Sequence, residues 1–397
     1  MKYSNQLQKL GTETAFAVSA KAKKWAEKGN KVYPFHLGDI NLPTPENIVE
    51  ATIKSIKDGL TGYCPSEGIF PLREALANDI GSKRGVSYDP HNVAVQPGGK
   101  PTIGKFISSI LDPGDEILYP NPGYPIYESQ IEYQGGRAVP LSYIQTDSGF
   151  DIDIEKLKES ISDKTVAIIY NNYQNPMSAE SSEKEMHEIA QIAIENDLWV
   201  LSDEAYFEII YDGEAKSIVS IPGMKERTVI LYTFSKKFAM TGWRVGGSIG
   251  PKEIIKRIAK FNVNAESCTT HFIQNAMVEA LNGDQKGSIQ ILNTLRGRRD
   301  AAVKGLNKID GIDILTPRTT FYLFPNVTKV MDRKGMQSVE ELQNGALVNA
   351  NVSFCTREHF GRAQDGEQDY YIRLAYSGIS NDDITEGLDS LKKYFEE

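Results

Sequence analysis

Short apolar runs alternate with helical patterns between residues 93 and 261. Polar residues or turn formers bound each run, which is typical of strands that are buried on both faces. The predicted strands cover residues 93–96, 116–119, 138–141, 166–170, 199–202, 228–232 and 246–249. Helical patterns lie between most of them, for example at 102–111, 182–196 and 251–261. This alternation predicts an α/β fold with a mostly parallel sheet sandwiched by helices.

The pattern changes toward both ends of the chain. The N-terminal part predicts a strand over residues 32–37 and helices over 12–28, 46–59 and 71–84. The C-terminal part predicts strands over 320–324, 352–355 and 370–375 and helices over 285–309, 338–347 and 381–396. Because 397 residues exceed one ordinary core, we expect two domains. We predict a large domain over 47–290 and a smaller α+β domain that combines 1–46 with 291–397.

Composition narrows the classes of function. The chain has 44 basic and 53 acidic residues, and its net charge of −9 argues against a broad nucleic-acid or acidic-membrane surface. The N-terminus lacks a signal-peptide pattern, and no run reaches the roughly 18 apolar residues of a membrane helix. We therefore expect a cytoplasmic protein. The three cysteines and five histidines lack the spacing of a disulfide framework or a metal site, so neither is predicted.

The stretch 228–250 carries the clearest chemical signal. An apolar strand ends in Thr233, Ser235 and Lys236, and Arg244 follows before the next apolar run. A lysine at the end of a buried strand is costly unless it has a partner or a chemical role. A desolvated lysine has a lowered pKa and attacks carbonyl carbons, and an arginine is well suited to bind a phosphate. The ordinary alternative is a surface lysine in a strand-to-helix loop.

Other polar groups also follow predicted strands, where ligands bind in such sheets. Gly98 and Gly99 join a strand to a helix and offer free amides to an anion. The spacing of Gly99, Gly104 and Lys105 resembles a P-loop, but Phe106 occupies the position of the Mg²⁺-binding hydroxyl, so we reject that interpretation. The polar groups at the ends of the other strands are Tyr124, Asn175 and Asp203.

Asp203 and Arg373 are charged residues in apolar surroundings. A buried aspartate needs a cationic partner, although a helix N-cap is an alternative role for Asp203. Arg373 lies in the middle of the predicted strand 370–375, which is an improbable place for an arginine without a partner. Each residue is therefore a candidate for contact with a charged ligand.

Residues 235–246, Ser-Lys-Lys-Phe-Ala-Met-Thr-Gly-Trp-Arg-Val-Gly, closely resemble the lysine signature of the fold-type I aminotransferases of class I and II. Further matches occur in the same order from residue 12 to the end of the chain. The resemblance implies a fold-type I architecture in which the large domain binds pyridoxal 5′-phosphate. It also implies that the cofactor forms a Schiff base with Lys236.

The resemblance assigns roles residue by residue. It implies that the catalytic residues are Lys236, Asp203 and Tyr206. It implies that the cofactor is bound by Gly98, Gly99, Lys100, Tyr124, Asn175, Asp203, Tyr206, Thr233, Ser235, Lys236 and Arg244. It implies that the substrate is bound by Gly38, Asn175 and Arg373. Tyr63, and by a weaker match Ser267, would reach the cofactor phosphate of the other subunit, which implies a homodimer with shared active sites and no metal.

The implied function is transfer of an amino group from an L-amino acid to a 2-oxo acid by a ping-pong mechanism. The alternative is a lyase of the same fold, of the C–S β-lyase or cyclopropane-carboxylate synthase type. A transcription regulator with an aminotransferase-like domain is disfavoured because only about ten residues precede the first match. A catalytically inactive binding protein is disfavoured while Lys236 and Asp203 are both present. The partners are therefore small molecules, and we expect neither nucleic acid nor a membrane.

The sequence departs from the family pattern at two places. Met177 and Ser178 replace the usual Thr-Gly after the Asn-Pro pair, and the segment 356–361 lacks a Pro-Gly. We therefore transfer no substrate specificity, beyond the general habit of the family for small or acidic amino acids with 2-oxoglutarate or pyruvate. We predict that Arg357 is a solvated loop arginine; the alternative is that it binds a distal substrate carboxylate.

Overall fold

The computed structural model describes residues 1–11 and 14–397. Its α-helices are α1 Ala15–Ala26, α2 Glu46–Lys57, α3 Phe70–Arg84, α4 Lys100–Ile110, α5 Ile126–Tyr133, α6 Ile154–Glu159, α7 Glu183–Glu195, α8 Lys252–Ala265, α9 His271–Asn282, α10 Lys286–Leu306, α11 Thr328–Lys334, α12 Val339–Ala350 and α13 Asn381–Glu396. Its strands are β1 Tyr33–Pro34, β2 Val93–Gln96, β3 Glu116–Pro120, β4 Arg137–Leu141, β5 Tyr143–Thr146, β6 Gly149–Ile152, β7 Thr165–Tyr170, β8 Trp199–Asp203, β9 Thr228–Thr233, β10 Gly246–Ile249, β11 Tyr322–Leu323, β12 Val352–Ser353, β13 Cys355–Thr356 and β14 Ile372–Ala375.

Seven strands form the main sheet, in the order β2-β10-β9-β8-β7-β3-β4. β10 is antiparallel to both of its neighbours, and the other neighbouring pairs are parallel. The prediction of a mostly parallel sheet is therefore confirmed. Because parallel strands point the same way, the ends of β3, β7, β8 and β9 meet along one edge of the sheet.

Helices cover both faces of this sheet, and alternate residues of β9 show the two layers. Val229 and Leu231 pack with residues of α4, α5 and α8, whereas Ile230 and Tyr232 pack with residues of α2, α3 and α9. Successive side chains of a strand point to opposite faces, so a strand that is buried on both sides needs a continuous apolar run. All six residues of β9 are buried, as the sequence pattern predicts.

The C-terminal third forms a smaller α+β layer. β11, β14 and β13 form an antiparallel sheet, and β1 pairs in parallel with β12 through Tyr33 and Val352. Phe35, next to β1, belongs to the same apolar cluster as Leu388 and Leu391 of α13. The N-terminal segment therefore packs on the C-terminal third. The exact domain boundaries at 46/47 and 290/291 stay predictions.

Several elements differ from the sequence-based expectation. The hairpin of β5 and β6 and the helices α5, α6, α9 and α11 were not predicted. The predicted strand 352–355 is two short strands that pair with different partners, β12 with β1 and β13 with β14. The predicted helix 12–28 is observed as α1, and residues 12 and 13 lie outside the described residues. Within the described ranges, no helix is long and apolar enough to cross a membrane.

The close contact between β10 and the turn after β2 gives a stability prediction. A Cβ on Gly246 would lie 2.6 Å from the Tyr232 carbonyl oxygen and 2.8 Å from the Gly98 backbone carbon. Because neither atom can rotate away, we expect Gly246→Ala to destabilise the fold by about 1–3 kcal/mol. The matched control is Gly297→Ala in α10, where the new methyl group meets nothing closer than 3.7 Å. Thermal unfolding should show a lower midpoint for the first variant alone; equal midpoints would contradict this packing.

Candidate active site

A cavity of about 560 Å³ opens at the edge where the parallel strands end. Residues after β7, β8 and β9 line one side, and residues of the smaller layer line the other. The predicted site residues that line it are Gly38, Gly99, Lys100, Tyr124, Asn175, Asp203, Tyr206, Thr233, Ser235, Lys236, Arg244 and Arg373. The structure therefore brings together groups that are far apart in the sequence.

Lys236 projects into this cavity from the loop after β9. Its Nζ donates a hydrogen bond to the Gly38 carbonyl oxygen at 3.0 Å. The same nitrogen lies 5.9 Å from the centre of the Tyr206 ring and 5.5 Å from that of Phe321. Gly38 is required at this point, because a Cβ there would overlap the Tyr322 hydroxyl. The amine is thus held between aromatic rings, next to a backbone carbonyl.

Asp203 is the last residue of β8 and is buried. Tyr127 donates to its Oδ2 at 2.6 Å, and the Ala205 amide donates to its Oδ1 at 3.1 Å. Burial raises the pKa of the Asp203 carboxyl to about 6, although the Tyr127 and Ala205 hydrogen bonds act in the opposite direction. The nearby Lys236 also favours the charged form. A cation beside this carboxylate would offset the desolvation.

The Tyr206 ring faces the Lys236 ammonium, and its hydroxyl forms a hydrogen bond with that of Tyr322. The two hydroxyl oxygens are 2.6 Å apart, and the rings meet edge to face with centres 5.5 Å apart. Burial raises the pKa of Tyr206 well above its ordinary value, so its hydroxyl stays protonated. The Tyr206 hydroxyl therefore carries a proton at neutral pH, and either hydroxyl of the pair can donate to the other.

An anion-binding cluster forms at one end of the cavity from Gly98, Gly99, Thr233, Ser235 and Arg244. Gly98 has a φ of +102°, and a Cβ there would overlap the Arg244 guanidinium. The Thr233 hydroxyl donates to Ser235 Oγ at 2.9 Å. The turn continues into the N-terminus of α4, whose helix dipole favours an anion. The prediction of a free amide at Gly98 is wrong, because this amide donates to the Gln96 carbonyl oxygen at 2.8 Å.

The aromatic wall of the cavity comes from the loop after β3. The Lys100 ammonium lies 5.6 Å from the centre of the Tyr124 ring. Tyr124 in turn meets Tyr127 edge to face, with ring centres 5.7 Å apart. A flat ligand over Asp203 would therefore meet the Tyr124 side of the cavity.

Arg373 enters the cavity from β14 of the smaller sheet. Its Nη1 donates to Asn175 Oδ1 at 3.1 Å, and its Nη2 donates to the His36 carbonyl oxygen at 2.6 Å. The rings of Tyr322 and Phe360 both contact it, with centres 4.6 and 4.7 Å from the guanidinium carbon. Its Nε is buried without a hydrogen-bond partner among the described residues. The guanidinium is thus rigidly oriented and retains donor capacity.

The loop after Asn175 keeps a backbone conformation that favours glycine, although Ser178 stands where the family pattern has glycine. Ser178 adopts a positive φ of 58°, which usually favours glycine. Its hydroxyl donates to the Tyr322 carbonyl oxygen at 2.8 Å. This bond ties the Asn175 loop to the smaller sheet and holds Asn175 next to Arg373.

Four residues named from the sequence do not line the cavity, namely Gly98, which precedes the lining residue Gly99, and Tyr63, Ser267 and Arg357. Tyr63 is 90% exposed, and neither it nor Ser267 lines the cavity of this chain. Arg357 is only 6% exposed and forms an ion pair with Glu367 at 2.6 Å. The prediction of a solvated arginine is therefore wrong, because the segment after residue 361 folds back and supplies a carboxylate.

Sequence reasoning missed several residues that shape the site. Tyr127 binds the Asp203 carboxylate, Tyr322 binds Tyr206, and Phe360 covers Arg373. Tyr127 had one available signal, since it follows Tyr124 by three residues at the start of a helix. Tyr322 and Phe360 gave none, because only the tertiary structure places them beside residues of other elements.

The chemistry of these groups defines a class of protein. A reactive amine, a buried carboxylate and an anion-binding turn suit a phosphorylated ring cofactor with a cationic nitrogen, and the arginine suits a carboxylate substrate. This is the arrangement of an enzyme that acts on amino acids through such a cofactor.

Comparison with known proteins identifies the family. The sequence pattern of the family described as aminotransferase class I and II matches residues 31–391, and the chain belongs to this family. Members of this family depend on pyridoxal phosphate. The chain is therefore an enzyme that transfers an amino group between an amino acid and a 2-oxo acid.

Individual relatives agree with this assignment. A probable aspartate/prephenate aminotransferase of Aquifex aeolicus is 33% identical over 399 residues, covering 99% of this chain and 98% of that protein. The structure of the Thermus thermophilus aspartate aminotransferase with maleate superposes with a TM-score of 0.91 at 28% identity, covering 99% and 100% of the two chains. An alanine aminotransferase from Pyrococcus furiosus gives a TM-score of 0.90 at 28% identity, with 100% coverage of both.

The raised pKa of Asp203 predicts how stability depends on pH. The folded state holds the Asp203 proton more tightly than the unfolded state. The free energy of unfolding of the wild type therefore falls as pH rises from the ordinary aspartate pKa of 3.8 to the folded pKa of about 6. The experiment uses protein freed of cofactor and compares the free energies of unfolding of Asp203→Asn and wild type. The difference in favour of the variant should increase by on the order of 1–2 kcal/mol from pH 5 to pH 7.5. Urea unfolding at both pH values measures this difference. A difference that stays constant with pH would contradict the assigned burial effect.

Proposed function

We propose that this chain holds pyridoxal 5′-phosphate through Lys236 and moves the amino group of a small or acidic L-amino acid to a 2-oxo acid. The observation that carries the proposal is the convergence of the Lys236 amine, the buried Asp203 carboxylate and the Arg373 guanidinium in one cavity. The substrate class is supported by relatives named for aspartate and alanine. Ping-pong kinetics follow from use of one cavity for both substrates.

The residues present fit this cofactor. A cationic ring nitrogen would satisfy the Asp203 carboxylate, whose pKa is raised by burial. The Gly99 amide, the hydroxyls of Thr233 and Ser235 and the Arg244 guanidinium would hold the phosphate. Asn175 and Tyr206 also line the cavity and would bind the hydroxyl oxygen attached to the cofactor ring.

The chain moves one proton during the reaction. When bound, the cofactor supplies a ring that accepts the electron pair left as the substrate Cα–H bond breaks. Once a substrate amine replaces it, the Lys236 Nζ is free to take the proton from Cα and to return a proton within the cavity. The rings of Tyr206 and Phe321 border this amine, with centres 5.9 and 5.5 Å from the Nζ. The Gly38 carbonyl, 3.0 Å away, orients it.

Arg373 fixes the substrate in place. Its planar guanidinium matches a carboxylate with two parallel hydrogen bonds. The His36 and Asn175 contacts and the two flanking rings prevent it from rotating away. Burial and the nearby Arg373 lower the pKa of His36 to about 4, so this histidine stays neutral and does not compete for the carboxylate. The contact between the Arg373 guanidinium and the substrate carboxylate would fix where the substrate Cα lies relative to Lys236.

We also propose that the working form is a homodimer with shared active sites. Tyr63 is 90% exposed and lies outside the cavity of its own chain, as expected of a side chain that serves the other subunit. Ser267 likewise does not line the cavity of its own chain. The cytoplasmic location and the division at residues 47 and 291 remain predictions from the sequence.

The role of Lys236 is tested by covalent trapping. Borohydride reduction followed by peptide mass spectrometry should place the cofactor on Lys236, and Lys236→Ala should lose it together with about 10⁴-fold in kcat. Lys237→Ala is the matched control, because Lys237 is partly buried, forms an ion pair with Glu208 at 3.5 Å and does not line the cavity. That variant should keep the label on Lys236. A label on another lysine in the wild type would contradict the proposal.

The role of Arg373 is tested by a charge-conserving substitution. Arg373→Lys keeps the positive charge but loses the planar pair of donors, so KM for the amino donor should rise by about 100-fold. Steady-state kinetics with saturating oxo acid measure the change. Cofactor content should stay equal to wild type, since the Arg373 side chain bonds to His36 and Asn175 rather than to the anion-binding cluster. An unchanged KM would exclude this carboxylate contact.

A further inference from the structure

Arg357 is the most heavily bonded arginine near the cavity, yet it does not line it. Its Nη2 forms the ion pair with Glu367 at 2.6 Å and donates to Asn121 Oδ1 at 2.8 Å. Its Nη1 donates to the Gly361 carbonyl oxygen at 3.0 Å. The side chain borders a separate cavity of about 370 Å³ instead. These bonds occupy the guanidinium, so it is not available to a substrate carboxylate.

The bonds of Arg357 join two segments from different layers of the fold. Asn121 follows β3 of the main sheet, whereas residues 357–367 lie between β13 and β14 of the smaller sheet. Asn121 Nδ2 also donates to the Arg362 carbonyl oxygen at 2.9 Å, and the Gly123 amide donates to the Phe360 carbonyl oxygen at 2.8 Å. Arg357 therefore lies at the centre of a junction between the two layers.

The two joined segments each carry an aromatic wall of the active-site cavity. The 357–362 segment carries Phe360, whose ring lies 4.7 Å from the Arg373 guanidinium. The segment after β3 carries Tyr124, which lines the cofactor side. Both side chains are three residues from a member of the junction, Phe360 from Arg357 and Tyr124 from Asn121. A shift of the junction would therefore move both walls.

The turn geometry shows how closely the segments match. Gly361 has a φ of +111°, and a Cβ there would lie 2.7 Å from Asn121 Oδ1. The turn thus presents two carbonyl oxygens, of Gly361 and Arg362, toward the same guanidinium that Asn121 binds. A lysine could not satisfy this planar set of acceptors.

We propose that Arg357 is a positioning residue, which holds the 357–362 segment against Asn121 so that Phe360 keeps the Arg373 guanidinium oriented toward the substrate carboxylate. This inference rests on the proposed role of Arg373. It assigns to Arg357 neither contact with substrate nor a part in proton transfer. Its effect should therefore fall on substrate binding, which the ground state and the transition state share, more than on kcat.

The test measures substrate affinity in the holoenzyme without turnover. The probe is 2-methylalanine, which has the carboxylate and amine of a substrate but no hydrogen on Cα, and the change in cofactor absorbance reports binding. Arg357→Met should raise its Kd, and KM for the amino donor, by about tenfold, with kcat changed less than about threefold. If Arg357→Met does not fold, Glu367→Gln replaces it, since that change removes the ion pair and keeps the packing. That variant should raise Kd at least about threefold.

A matched arginine controls for loss of stability. Arg333 makes a similar set of bonds, to the Asp310 carboxylate and to the carbonyl oxygens of Asp310 and Phe395 at 3.3 and 3.1 Å, but it lies far from the cavity lining. Arg333→Met should lower the unfolding midpoint without changing either Kd or KM.

One result would overturn the positioning role of Arg357, and a different result would overturn the carboxylate contact of Arg373. A Kd for 2-methylalanine within about twofold of wild type in folded Arg357→Met, or in Glu367→Gln if that variant is used, would overturn the positioning role. If Arg373→Lys also binds 2-methylalanine as the wild type does, the proposed carboxylate contact of Arg373 is wrong, and the basis for positioning Phe360 is removed with it.

Discussion

The burial of the Asp203 carboxylate is the constraint on which the rest of the site depends. A parallel strand carries it to the edge of the sheet, where the apolar faces of the flanking layers exclude water. A charge in such a place is unfavourable unless cationic or hydrogen-bonding groups surround it. Two hydrogen bonds, from the Tyr127 hydroxyl and the Ala205 amide, stabilise the charged carboxylate in part, and so does the nearby Lys236. The cationic ring nitrogen of the proposed cofactor would supply the rest, so burial of this carboxylate would favour binding of that cofactor.

The substrate contact is built differently, from segments that meet only in the tertiary structure. Arg373 belongs to the smaller sheet, Asn175 follows β7 of the main sheet, and His36 lies next to β1 near the N-terminus. The orientation of the guanidinium therefore depends on how the smaller layer packs against the main sheet. The network around Arg357 is one of the places where that packing is fixed by charged hydrogen bonds rather than by apolar contact.

The sequence allowed the main sheet and the strand-end residues to be predicted, for a physical reason. Strands that are buried on both faces must be continuously apolar, so a polar residue at their ends is visible as a break in the pattern. Lys236, Asp203 and Asn175 stand at or after such breaks, and the resemblance to the family distinguished them from their polar neighbours. The two-residue strands β11, β12 and β13 are too short to show a period, so their pairing could not be predicted.

The same limit explains the error at Arg357 and the residues that were missed. Arg357 stands among polar residues, which suggests exposure, but its partner Asn121 is 236 positions away. Tyr127 and Asp203 are 76 positions apart, and Tyr206 and Tyr322 are 116 apart. Local patterns report the environment of a strand, not the identity of a side chain that the fold brings to it.

The most direct test of the central claim is a single half-reaction. The holoenzyme would be mixed with excess aspartate or alanine and no oxo acid, and the released oxo acid would be quantified by mass spectrometry. Storage of the amino group at the site predicts about one equivalent of oxo acid per chain and then no further release until a 2-oxo acid is added. Less than about a tenth of an equivalent of oxo acid from either amino acid, together with continuous release of pyruvate, ammonia and a thiol from an S-substituted cysteine, would contradict transamination and favour the lyase chemistry of the same fold.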